Sequence, residues 1–160
     1  MRTLIVFYSA EGHTKKIAEM IGKNLGADLY EIDLENPYSK EDLDWTNPDS
    51  RASQENDEPK LRENIRLKNP VPPNWENYDR VILGYPIWWG IAAWPTNAFV
   101  KSNDWSHKTV LPFCTSHTSG LGDSDLLLKA EAGSGNWQNG IRFFQDANAI
   151  KVKAWTDTLN

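Results

Sequence analysis

Three mostly apolar stretches, with amphipathic stretches between them, constrain this chain more than any other feature. Thr3–Tyr8 reads TLIVFY, Asp79–Tyr85 reads DRVILGY and Lys108–Cys114 reads KTVLPFC. A strand with one face in water alternates apolar and polar side chains. A strand without that alternation is covered on both faces, as in parallel sheets. Parallel neighbours need crossovers, and the intervening sequence supplies them. Thr14–Leu25 carries Ile17, Ala18, Ile21 and Leu25 on one stripe, and Gly26 stands where such a helix stops. Ala27–Leu34 reads as a second strand. Trp94–Lys101 reads as a helix with Pro95 in its first turn, where a missing N–H costs nothing. Ser124–Ala130 is a short helix, Gly133–Gly140 a loop and Ile141–Phe144 a short strand. Asp146–Leu159 is a terminal helix with Ala149, Val152, Trp155 or Thr156, and Leu159 inward. The order βαβ(α)βαβαβα predicts one α/β domain: a doubly wound, five-stranded parallel sheet with helices on both faces.

The segment Glu35–Asn77 is the least regular, with Pro37, Pro48, Pro59, Pro70, Pro72 and Pro73 among many charges. The spacing allows a helix within Ser53–Lys68, with Leu61, Ile65 and Leu67 inward. The rest reads as an ordered excursion of the kind that is usually functional. Its acidic residues, Asp42, Asp44, Asp49, Glu55, Asp57 and Glu58, read as a solvated face, or else as a docking patch.

Composition excludes several functions. The formal net charge of −5 disfavours nucleic acid, whose phosphates select clustered Lys and Arg. The lone cysteine, Cys114, permits no internal disulfide and reads as a buried, inert thiol. It fits a reducing compartment, so a cytoplasmic location is expected. Leu4–Tyr8 is too short for a signal core or a membrane span, and no membrane association is expected. His13, His107 and His117 lack metal-ligand spacing. There is no GxSxG elbow, no GxGxxG and no P-loop lysine, which removes hydrolase, dinucleotide and nucleoside-triphosphate readings.

In doubly wound sheets, ligands sit beyond the carboxyl ends of the strands. Three notable loops fall there. Ser9-Ala10-Glu11-Gly12-His13-Thr14 opens the first helix. Its backbone N–H groups, with the helix dipole and the Ser9 and Thr14 hydroxyls, suit a phosphate. The alternative is an ordinary β–α turn with a Thr cap. Pro86-Ile87-Trp88-Trp89-Gly90 offers two indoles to a flat ring such as an isoalloxazine, or packs them under the loop. Thr115-Ser116-His117-Thr118-Ser119-Gly120-Leu121-Gly122 is rich in donors and suits the polar edge of such a ring, with Thr115, Ser116, His117, Gly120 and Gly122 singled out. The alternative is a flexible βα loop. Trp45, on the excursion, is the next aromatic candidate.

YSAEGHTKKIAEMI, LGYPIWWG and PFCTSHTSGLGDS, in that order and spacing, resemble the flavodoxin family, and most closely its bacterial branch with GYPIWWG in the second loop. The resemblance spans essentially the whole chain. It implies a flavodoxin-like fold and FMN as cofactor, with phosphate on the first loop and ring on the second and third. It also implies a low-potential electron shuttle that meets a reductase and an acceptor protein, both unidentified. The rivals are an NAD(P)H-dependent quinone or flavin reductase on the same scaffold, and a binding module that keeps the fold without FMN. Two positions depart from the family pattern. Glu11 stands where a hydroxyl is usual and His13 where Asn is usual. A carboxylate repels a phosphate, so the Glu11 side chain is expected to face solvent while its N–H binds. His13 donates to the phosphate or holds the turn.

Overall fold

The mostly apolar runs become the centre of one sheet. The computed structural model describes residues 1–159. Its strands are β1 (Thr3–Phe7), β2 (Asp28–Glu31), β3 (Arg80–Trp88), β4 (Ile91–Ala92), β5 (Thr109–Ser116), β6 (Asn136–Trp137) and β7 (Ile141–Phe144). The helices are α1 (His13–Leu25), α2 (Arg51–Asp57), α3 (Trp94–Lys101), α4 (Ser124–Ala132) and α5 (Ala149–Asp157). Strands β2, β1, β3 and β5 lie side by side and parallel, with Ile5 beside Leu29 and Ile82, and Ile82 beside Leu111.

The sheet holds seven strands, against five expected. Two departures account for the difference. The outer position is split: β6 pairs with Thr109 and Val110, and β7 with Phe113 to Ser116, both parallel to β5. They are one outer strand interrupted at Gln138–Gly140, and the first half lies in a segment expected as loop. The second departure is β4, which folds back antiparallel on the end of β3.

In the sequence the apolar stretch stops at Tyr85 and Pro86 opens a loop, yet β3 runs on to Trp88. A proline breaks a ladder only where its N–H is needed. Strand β1 ends opposite Gly84, so no β1 backbone flanks Pro86. Its carbonyl accepts the Ala93 N–H at 2.9 Å from the returning hairpin.

Residues alternate along β1 between two apolar layers, which explains the absence of a polar face in its sequence. Leu4, Val6 and Tyr8 join Val81, Leu83, Tyr85, Trp94, Phe99, Trp105 and Leu128 on one side. Ile5 and Phe7 join Ile17, Ile21, Ile82, Phe113, Phe143 and Val152 on the other, under α1 and α5. Strand β2 is shorter than expected because it is an edge strand, covered on one flank only, and Leu29 is exposed. In α5, Val152 and Thr156 are buried while Ala149 is exposed at the first turn.

The excursion contributes to the first layer through Ile65 and Trp75, and Tyr78 follows directly after it. Its helix is shorter than the spacing allows: α2 stops at Asp57, before Pro59, and Pro59–Asn64 continues as a tight 3₁₀ turn. The proline has no N–H for a further helical bond and clashes with the preceding turn. Buried Lys108 pins the end of the excursion, donating from Nζ to the carbonyls of Trp75 and Tyr78 at 2.7 Å each. Burial lowers its pKa. Among the described residues no helix is long and apolar enough to cross a membrane.

Candidate functional site

The strand order reverses direction between β1 and β3, and a cleft of about 510 Å³ opens at the carboxyl ends of β1, β3 and β5. That volume lies within the usual range of small-molecule sites, about 300–1,000 Å³. Of the sequence-predicted residues, Ser9, Ala10, Glu11, His13, Thr14, Pro86, Ile87, Trp88, Trp89, Thr115, Ser116 and His117 line it. Gly12, Gly90, Gly120 and Gly122 stand outside the lining.

The first loop is shaped by Gly12, which caps α1 with φ 97°. A side chain there would be strained. A helix start leaves several N–H groups without intrahelical acceptors. The Ser9 hydroxyl accepts two of the loop's N–H groups, from Gly12 at 3.1 Å and Lys15 at 3.2 Å. Ser9 is therefore the cap of this turn as well as a cleft residue. Among the described residues no acceptor outside the helix meets the N–H groups of His13 and Thr14, beside it.

Thr14 lines the cleft, and its hydroxyl also has a partner within the protein. Its hydroxyl is buried and lies 2.7 Å from the Thr115 hydroxyl, joining the first loop to the end of β5. The Ser116 hydroxyl donates to the Ser119 carbonyl, which closes the third loop on itself. The Glu11 side chain is exposed, as expected, and its Oε2 lies 3.8 Å from Nε2 of His13. The first turn of α1 itself carries no acidic residue.

The second loop is a hairpin turn. Trp88 pairs with Ile91 across β3 and β4, leaving Trp89 and Gly90 as the two turn residues, at φ 45° and 81°. Two-residue turns with both φ values positive match the right-handed twist of strands, and they favour glycine or asparagine. Trp89 bears that strain. Gly90 packs behind the rim: a Cβ on Gly122 would lie 3.3 Å from the Gly90 carbonyl oxygen. The two glycines therefore bring the second and third loops together without touching the cleft.

The indoles divide their work. Trp88 is half-buried, met edge-on by Tyr8 at 5.8 Å, Tyr38 at 5.1 Å and Trp94 at 5.1 Å. Trp89 is exposed on the cleft side and stacks on buried Trp94, with centroids 5.8 Å apart and planes within 17°. Burial raises the pKa of Tyr8, and burial and the hydrogen bond to Glu55 raise that of Tyr38. Both phenols stay protonated at neutral pH. Burial also pushes the Cys114 thiol up to about 12, so it supplies no thiolate.

Sequence reasoning missed Leu43, Ala52 and Gln145 as lining residues, and it ranked Trp45 behind the paired indoles. Trp45 is the most exposed indole on the cleft, at 74%. A tryptophan left bare on a loop was the available signal. Leu43 and Ala52 carried none, since they come from the excursion that folds over the cleft. Glu55 reverses its expected role. It belongs by sequence to the solvated acidic run, yet only 6% of it is exposed.

The whole described chain matches a known family. The model of the family described as flavodoxin covers residues 2–159. The chain belongs to the flavodoxin family. Solved structures agree. A candidate flavoprotein of Bacteroides eggerthii DSM 20697 is 38% identical with a TM-score of 0.86, over 98% of this chain and 96% of that one. Another from Bacteroides uniformis ATCC 8492 is 33% identical with a TM-score of 0.88, over 98% and 97%. A flavoprotein of Lactobacillus acidophilus NCFM, solved in complex with FMN, is 25% identical with a TM-score of 0.66, over 94% and 97%. No curated protein matches the chain significantly. The donor set of the cleft suits a flavodoxin: a hydroxyl and helix-start N–H groups at one end, open indole at the other. Among the described residues no three potential metal ligands cluster.

Proposed function

We propose that this flavodoxin binds FMN in the cleft and carries electrons at low potential between a reductase and an acceptor protein. The observation that carries the reading is the polarity of the cleft along its length. One end offers N–H groups at the start of α1 and the Ser9 hydroxyl, and suits a terminal phosphate. The other offers the faces of Trp89 and Trp45, and suits a planar ring. The FMN complex of the Lactobacillus relative supports the same cofactor.

Bound FMN would supply the one-electron chemistry, and the protein would tune it. Ser9, His13 and Thr14 would hold the phosphate through N–H and O–H donors. Trp89 and Trp88 would border the ring and keep water from one side of it. The third loop, closed by Ser116 and Ser119, would face its polar edge. Apolar contact and the net charge of −5 both disfavour added negative charge, which lowers a reduction potential. The exposed acidic residues Asp44, Asp49, Asp57 and Glu58 lie on the segment that also supplies Leu43 and Trp45 to the cleft. A basic partner surface would meet them there.

An anaerobic reductive titration of the FMN-loaded protein, followed by absorbance, tests this. Separated one-electron steps with slow NADPH oxidation are expected. Rapid NADPH oxidation coupled to two-electron reduction of a quinone would refute the shuttle. Calorimetry is expected to give tighter binding of FMN than of riboflavin, and equal affinities would refute the phosphate site.

A further inference from the structure

A carboxyl group is costly to bury unless it is paired and hydrogen-bonded. Glu55, on α2 of the excursion, is buried and meets three donors. Its Oε1 accepts from the Tyr38 hydroxyl and from Nε1 of Trp94 at 3.0 Å. Its Oε2 accepts from Nε of Arg51 at 3.4 Å. The Arg51 guanidinium lies 3.8 Å from the centre of the Tyr38 ring and donates to the Asn36 carbonyl at 2.9 Å. Arg62 donates to the Glu55 carbonyl at 2.9 Å and sits 4.0 Å over the Trp94 ring.

The two aromatic residues that share Oε1 also hold the cleft indoles. Trp94 carries Trp89 on its face and meets Trp88 edge-on, and Tyr38 meets Trp88 edge-on. A single oxygen atom thus fixes two of the three aromatic supports of the wall, the third being Tyr8. The Trp94 indole has one N–H, so its acceptor sets the in-plane orientation of the ring on which Trp89 lies.

We propose that Glu55 is the positioning residue of the flavin site: through Trp94 and Tyr38 it sets the orientation of Trp89 and Trp88. The excursion thereby shapes the cleft from behind as well as lining it through Leu43, Trp45 and Ala52. This rests on the cleft being the flavin site.

The test compares Glu55→Gln and Glu55→Leu with the parent and with Asn103→Ala. Asn103 pins another part of the excursion, donating to the Pro70 and Phe99 carbonyls, and touches none of the wall. Gln keeps an oxygen that accepts from Tyr38 and Trp94, whereas Leu keeps the bulk and no acceptor. The readouts are near-ultraviolet circular dichroism of the FMN-free protein, which reports coupled indoles, then FMN affinity and the visible dichroism of bound FMN. Glu55→Leu is expected to change both dichroism spectra and to raise the FMN Kd about tenfold, a usual size for coupling between sites. Glu55→Gln is expected to restore affinity and both spectra, and Asn103→Ala to leave them unchanged. If Glu55→Leu leaves the indole spectrum and affinity unchanged, the proposal is overturned. If Glu55→Leu does not fold, Glu55→Gln decides: parent-like spectra support acceptor positioning, and altered spectra with lost affinity refute it. The indole spectrum needs no flavin, so a parent that fails to bind FMN would overturn the flavin reading alone.

Discussion

Replacing Trp89 by Ala and by Gly separates what its ring does from what its backbone costs. A fully covered indole buries about 150–250 Å². Trp89 is 43% exposed, so a little over half of that, roughly 90–140 Å², leaves water, which contributes about 2–3 kcal/mol. Both substitutions lose this contribution together with the stack on Trp94. They differ in the turn. At φ 45° a residue with a Cβ carries about 1–2 kcal/mol of strain that glycine escapes. Trp89→Gly should therefore be more stable than Trp89→Ala by about 1 kcal/mol, read by urea unfolding of the FMN-free protein. Affinity should not follow that order. Ring stacking of this kind is worth about 1–3 kcal/mol, so both variants should raise the FMN Kd by about 5- to 150-fold, measured by flavin fluorescence. If the Gly variant proves the less stable, the left-handed turn is wrong. If neither variant changes affinity, the ring does not meet Trp89, and Trp45 becomes the candidate.

Thr14→Val leaves the buried Thr115 hydroxyl without its partner at 2.7 Å; stability should fall by about 1–2 kcal/mol. The double variant with Thr115→Val should recover part of this in urea unfolding. Glu11→Ser removes an exposed like charge from the phosphate end and adds a donor. FMN should bind about two- to fivefold tighter at low salt, with the gain shrinking at high salt, as calorimetry would show. A loss of affinity would mean that the Glu11–His13 pair has a specific role.

Much of this molecule follows from local sequence. Apolar runs at β1, β3 and β5 have no polar face because both faces are covered, and that alone implies a parallel sheet with crossovers. The stripe on α1, and Gly26 at its end, mark its extent without any knowledge of neighbours. The position of the three loops follows from the same pattern, since each leaves the carboxyl end of a strand. What the loops do internally was not legible. The end of β3 looked closed at Pro86, and only the absence of β1 on that flank makes the proline harmless. Thr14 and Thr115 stand 101 positions apart, so no local rule could pair their hydroxyls. Glu55 reads in sequence like its exposed acidic neighbours. It is buried because the excursion folds over Trp94 and Tyr38, whose two donors reach one oxygen. Secondary structure and strand placement depend on short-range periodicity, which a sequence displays directly. The choice between a solvated charge and a buried hub depends on which distant donors arrive beside it, and that is decided only when the sheet and the excursion come together.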